Sequence, residues 1–266
     1  MFAFNQFIII AALTLLARDS LAIECTPENI PHRPVRKGHC FGFVTIVIAD
    51  RAISQIVYNS DGTLDKTSRR VNYNYGECHI SFDNDLGEDV TKTQIEQGFH
   101  RLFDKCQDYN GGNTYNEDVP THFYFGNREL GTFQAWEPDY PAGVPSCDIL
   151  DGGKPITQAD CVQALASIPA DAHGRLVGDD YQLTDHIEKR YRSCVVNVYT
   201  SDFSKLMVIK PDVEDNLGKT MDWCHEKCGV IRIPGGAEGP NGRAYVTLRN
   251  VKRGGCQEPR TPLRTK

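Results

Sequence analysis

The string Cys224-His225-Glu226-Lys227-Cys228 places two sulfurs and an imidazole within five residues, a spacing that could hold a metal ion. Zinc would need both sulfurs as thiolates. The chain has 10 cysteines, an even number, all from Cys25 onward, behind an apolar leader. An exported chain passes through an oxidising compartment where such sets become disulfides. The string is therefore read as a disulfide turn, and no metal or cofactor is expected.

Other residue types suited to chemistry carry less pattern. Asp83, Asp85, Glu88 and Asp89 gather acid in one loop, but the glycine falls at Gly87 and the spacing of a calcium loop to a distant Glu is missing. Asp185-His186 with Glu188, and His79 and His100 beside carboxylates, resemble acid/base partners. Neither Gly-x-Ser-x-Gly nor His-Glu-x-x-His accompanies them, so these histidines are expected at the surface. A carboxylate pair for glycoside hydrolysis could be drawn from any of the 35 acidic residues, which gives that reading no specificity. No catalytic residue is assigned, and the chain is read as non-enzymatic. Phe133, Trp136 and Tyr140 are the candidate binding residues, aromatics in irregular chain that are either pinned as a strap or held out for a partner.

The elements that must position these residues begin after a leader. Phe7 to Leu16 is apolar and Ser20-Leu21-Ala22 offers small residues for a peptidase, so residues 1–22 read as a secretory signal peptide. The apolar run is about half of the roughly twenty residues that a membrane-spanning helix needs. A net charge of −6 disfavours nucleic acid and anionic membrane as partners. No Asn-x-Ser/Thr sequon occurs.

An internal repeat organises the rest. Cys25, Cys40, Cys78 and Cys106 fall on Cys147, Cys161, Cys194 and Cys224 at offsets of 122, 121, 116 and 118. Cys78-x-Ile80-x-Phe82 matches Cys194-x-Val196-x-Val198, the alternation of a half-buried strand. Ile95, Phe99, Phe103 and Cys106 match Val213, Leu217, Met221 and Cys224, one stripe of a helix. Thr93 with Glu96 reads as a capping box, and Pro211-Asp212 as a cap before Val213. Glycine pairs follow, Gly111-Gly112 and Gly235-Gly236, and then last strands at His122–Phe125 and Ala244–Leu248. The helix read at Asp160–Ile168 is matched to Cys40–Ile48, a Val- and Ile-dense run that could equally be a strand.

This order predicts an α+β protein of two tandem ferredoxin-like (split βαβ) sandwich modules, stabilised by disulfides. The first module takes residues 23–130, a Pro- and Gly-containing linker 131–146, and the second module with its tail 147–266. The favoured pairings are Cys40 with Cys106, Cys161 with Cys224, Cys25 with Cys78, Cys147 with Cys194, and the extra Cys228 with Cys256. Spacing alone leaves other connectivities open. Dibasic pairs at Arg69-Arg70 and Lys189-Arg190, expected in exposed loops, and at Lys252-Arg253, could serve a processing protease.

Asp160-Cys161-Val162-Gln163-Ala164-Leu165 through Ile168, the strand from Cys194, the helix ending in Cys224, the glycine pair and the closing aromatic strand resemble cysteine-containing secreted proteins of filamentous fungi. These are the killer-toxin-like and necrosis-inducing extracellular effectors. The likeness spans most of Cys147 to Arg249 and, more faintly, Cys25 to Asn127. The resemblance implies export, a small α/β sandwich and action on another cell, without shared catalytic residues. The leading expectation is an extracellular effector or toxin-like protein that binds a host or competitor cell-surface protein or glycan. The alternatives are a carbohydrate-binding wall protein and a hydrolase of wall polymers or RNA.

Overall fold

The computed structural model describes residues 22–26, 51–76, 78–106, 111–116, 121–127, 137–148 and 155–251. In chain order the elements are β1 (Ala22–Thr26), β2 (Arg70–Tyr75), β3 (Cys78–Asp83), α1 (Lys92–Lys105), β4 (Gly111–Asn116), β5 (Thr121–Asn127), β6 (Ser146–Asp148), α2 (Gln158–Ala166), β7 (His186–Tyr191), β8 (Cys194–Thr200), α3 (Lys210–Cys224), β9 (Cys228–Ile233) and β10 (Ala244–Asn250). They build two five-stranded antiparallel sheets, β1-β4-β5-β3-β2 and β6-β9-β10-β8-β7. The strand orders are the same element for element, so the chain is a tandem repeat of one α+β unit.

Each unit carries one more strand than the four-stranded plan expected from the sequence, and its first strand lies at the sheet edge beside the fourth. The additional strands are β4 and β9. Gly111-Gly112 opens β4, whereas Gly235-Gly236 follows β9 with φ of +66° and +81°. The two glycine pairs are therefore not equivalent.

Alternation sets the faces. Cys78, Ile80 and Phe82 of β3 are fully buried in one core with Ile95, Phe99 and Leu102 of α1. Phe123 stands between Phe82 and Phe99, at 4.9 and 5.2 Å between ring centroids. Gly98 lets it approach, because a Cβ there would collide with the Phe123 ring. The second core gathers Cys194, Val196 and Val198 of β8 with Val213 and Leu217 of α3 in the same way.

The helix starts rest on a repeated turn. Gly62 and Gly174, at φ of +80° and +79°, close turns in which Gly62 N–H donates to Asn59 O and Gly174 N–H to Asp171 O, each at 2.9 Å. Their carbonyls accept from Lys92 N–H at 2.9 Å and Lys210 N–H at 2.8 Å. Only a residue at ease in the left-handed region fits there. This docking moves both helix starts from their expected places. The capping box is Thr91 with Gln94, and Asp212 lies in the first turn of α3 while Ile209 occupies the cap position. Counting back from the same turn, Ala52, Ile53 and Ile56 stand where Ala164, Leu165 and Ile168 stand, and all six are buried. Residues 40–48, matched to that helix from the sequence, lie outside the described residues.

The disulfides correct the expected pairing. Cys25 bonds Cys106, Cys147 bonds Cys224, and Cys161 bonds Cys194. The helices of a unit are not stapled to each other. In the sheet order, β1 lies beside β4, which begins just after α1, so the first cysteine of a unit meets the cysteine at the end of its second helix at a Cα separation of 5.4 Å in both units. Cys161 on α2 sits over β8 and reaches Cys194 at 5.1 Å. Cys78 and Cys228 are also disulfide-bonded. Cys40 and Cys256 lie outside the described residues.

Candidate functional site

Most residues singled out for chemistry are engaged in structure. Cys224 and Cys228 are oxidised, so no thiolate remains in their string, and His225 closes α3 with φ of +55°. The acidic loop is divided: Asp83 takes a bidentate pair from Arg70 at 2.6 and 3.1 Å, Asp89 pairs with Lys66, and Asn84 bonds both ends of Glu88's backbone. Among the described residues no cluster of His, Cys, Asp and Glu is placed to hold a metal ion. Glu188 is gripped by Arg190 and Arg249. Its partial burial opposes ionisation, yet the hydrogen bond from Arg190 and the charges of both arginines hold its carboxyl below the ordinary range.

Of the dibasic pairs, Arg69 is exposed just before a strand, and Arg70, Lys189 and Arg190 lie within strands. Arg70 opens β2, and the N–H groups of Arg69 and Arg70 donate to Asp202 O of the other unit at 2.9 and 3.3 Å. Lys189 and Arg190 are strand residues of β7, paired with Asp179 and Glu188. Lys252-Arg253 lies outside the described residues.

Tyr140 is half-buried and serves as part of a strap. Like Tyr199, it packs against the pair Val230 and Tyr245, while Gly143 N–H donates to Arg232 O at 2.8 Å and Arg232 Nη1 to Pro138 O at 2.7 Å. Asn74 of β2 reaches across to Asp139 at 3.2 Å. Phe133 and Trp136 lie outside the described residues.

The strap makes the two sheets unequal on the face away from the helices. In the second sheet Tyr245 is 1% exposed, Val195 1% and Thr247 9%. Tyr199 and Tyr245 stack there at 5.4 Å, and burial pushes the Tyr245 hydroxyl up to about 12. In the first sheet the same face carries Asn72, Ser81, Tyr124, Asn113 and Glu24 in one register row, with His79 and His122 in the rows beside it. Partners in a row share a face. Tyr124 is 37% exposed, Glu24 is exposed, and Asn72, Ser81, His79, His122 and Asn113 are half-buried.

Gly126 gives this surface its shape. The Tyr124 hydroxyl lies where a Cβ of residue 126 would stand, so the ring lies down along the strand. His79 is 6.0 Å away between ring centroids, and its Nδ1 lies 2.6 Å from Asn74 Oδ1. An aromatic face flanked by amide, hydroxyl and imidazole groups can take an apolar ring face and the hydrogen-bonding groups around it. Sequence reasoning missed this row, because a polar position on a strand gives no sign of whether its face is covered.

No protein-family profile matches the sequence, and no curated protein sequence does. Among solved structures the chain is similar to the tandem DUF26 ectodomain of the Arabidopsis thaliana cysteine-rich receptor-like protein PDLP8, at 9% identity and a TM-score of 0.28, covering 86% of this chain and 96% of that one. It is likewise similar to the tandem DUF26 ectodomain of PDLP5 from the same plant, at 10% identity and a TM-score of 0.28, over 85% and 97% of the two chains. Superposition at that level does not establish a shared fold.

Proposed function

We propose that the chain is an exported, non-enzymatic protein of effector or toxin-like action that binds a surface component of another cell through the uncovered face of its first sheet. One observation carries this reading. Among the described residues, equivalent faces of two copies of one unit differ: the second is buried beneath a strap, and in the first a flat Tyr124 and Glu24 are exposed within a half-buried polar row. Disulfides within both units suit life outside the cell. The acidic groups Asp83 and Glu188 are committed to arginines, which leaves the carboxylate pair of a hydrolase without support from either.

A glycan is the reading of the target that Tyr124 favours, since sugar rings present C–H groups to an aromatic face and hydroxyls to its polar neighbours. Depletion by insoluble chitin, glucan and cellulose, and capture of surface proteins from intact cells, test the two kinds of target side by side. Tyr124→Ala should weaken the binding found by about tenfold or more, as loss of a central aromatic anchor does. Ser81→Arg should abolish it by blocking the row. Binding that survives both changes, or turnover of the bound polymer, would remove this reading.

A further inference from the structure

The two units meet along a seam that centres on one carboxyl group. Asp202 follows β8 in the second unit and is fully buried. Its Oδ1 accepts from Ser204 N–H at 3.1 Å and Ser204 Oγ at 2.6 Å, and its Oδ2 accepts from Ser68 Oγ of the first unit at 2.9 Å. Its carbonyl takes the N–H groups of Arg69 and Arg70 at the edge of the first sheet. Gly239 and Gly242 press backbone against the carboxyl, which leaves no room for a Cβ at either position. Beside it Asn241 reaches into the first unit, accepting from Val57 N–H at 2.8 Å and Tyr73 Oη at 3.0 Å and donating to Val57 O at 2.9 Å.

The charged groups around the seam are engaged elsewhere. Arg70 is bidentate on Asp83 and lies over the Phe203 ring at 4.6 Å. Arg243 lies over the Tyr73 ring at 4.8 Å and donates to Asn72 O at 3.3 Å. Arg69, Lys205 and Glu238 are exposed. The hydrogen bonds to the Asp202 carboxyl come from neutral hydroxyl and amide groups.

We propose that Asp202 is a proton-operated latch between the two units, which holds the seam more tightly in acid than in neutral or alkaline medium. With the units apart, the carboxyl would sit in water and titrate in the usual carboxylate range. In the closed seam burial, the largest influence, disfavours the charged form and outweighs the bonds from Ser204 and Ser68, so the proton is held to higher pH. Closing the seam therefore takes up a proton. The contribution is fully present below the usual carboxylate range and is lost as pH rises from there through the raised value.

Amide hydrogen exchange by NMR tests this, after correction for intrinsic rates. The seam amides of Val57, Arg69 and Arg70 are compared with the core amides of Ile80 and Val196 in the same sample. Between about pH 8 and about pH 4, protection of the seam relative to the core should rise in the native chain. In Asp202→Asn, a neutral mimic of the protonated acid, the ratio should be the same at both pH values. Ser68→Ala retains the buried carboxyl and must retain the pH dependence from a lower starting protection, and the core amides report whether each variant is folded. An unchanged ratio in the native chain, the same rise in Asp202→Asn, or its disappearance in Ser68→Ala would overturn the proposal.

Discussion

Gly112 and Gly229 occupy the same place in the two units: each pairs across its sheet with the first cysteine of the unit and lies under the sulfur that closes the second helix. The register sets Gly112 against Cys25 and Gly229 against Cys147. A Cβ would stand 2.7 Å from Cys106 Sγ in one and 2.8 Å from Cys224 Sγ in the other. Neither glycine has positive φ, so the demand is for space and not for backbone freedom. Gly112→Ala and Gly229→Ala should each destabilise by about 1 to 3 kcal/mol through overpacking against a sulfur that its bond holds in place. Denaturant midpoints at constant slope measure this, and Gly218→Ala, inside α3 and facing open space, is the control that should instead stabilise by up to about 1 kcal/mol.

The bonds from each edge strand to the helix end close loops of 81 and 77 residues, and the bond from α2 to β8 closes one of 33. In the chain-entropy model, removing Cys147–Cys224 by paired serine substitutions costs about 4 kcal/mol, and removing Cys161–Cys194 slightly less. Thermal unfolding of the two double variants measures the difference. Non-reducing peptide mapping should recover the three bonds named above; the repeat leads us to expect Cys40 as the partner of Cys78, which leaves Cys256 for Cys228.

A kexin-type protease should leave the folded chain uncut at Arg70 and Arg190. Cleavage needs an extended segment free to enter the enzyme, whereas Arg70 is bound at its N–H by Asp202 and at its side chain by Asp83, and Arg190 lies within β7. Digestion followed by reducing electrophoresis should give an intact chain here and fragments after reduction and unfolding. Rapid cutting of the native protein at either site would show these strands to open far more readily than their bonding implies.

Glu188 gives a second pH effect, opposite in sign to that of Asp202. Its carboxyl is held low in the folded chain, so its pairs with Arg190 and Arg249 stabilise above the ordinary carboxylate range and are lost as pH falls through the lowered value. Glu188→Gln should cost up to about 1 kcal/mol at neutral pH, since the pairs are partly open to solvent. The gap from the native chain should close in acid, as read from denaturant midpoints across pH.

Periodicity made the duplicated unit legible because buried stripes write themselves into sequence: Ile95 and Phe99, Val213 and Leu217, Ile80 and Val196 all lie in the cores that alternation assigned them. The extra strands escaped notice for local reasons. Gly111-Gly112-Asn113 carries no strand alternation, and the glycine at 112 is there to leave room for the Cys106 sulfur. Disulfide partners depend on which strand lies at the edge of the sheet, a property of the whole topology, so Cys25 and Cys106 could not be joined by counting residues. The open row around Tyr124 was hidden for a similar reason. Its exposure is decided by where the strap runs, far from the residues themselves.

Asn241 is followed by Gly242, the neighbour that most readily allows a backbone nitrogen to attack the side-chain amide and convert it to a carboxyl. In the closed seam that amide is fixed from both sides by Val57 and Tyr73. Conversion would set a negative oxygen against the Val57 carbonyl and part the units. The chemical lifetime of the molecule is thus tied to how seldom its two halves separate, and wear should begin at the joint before either half unravels.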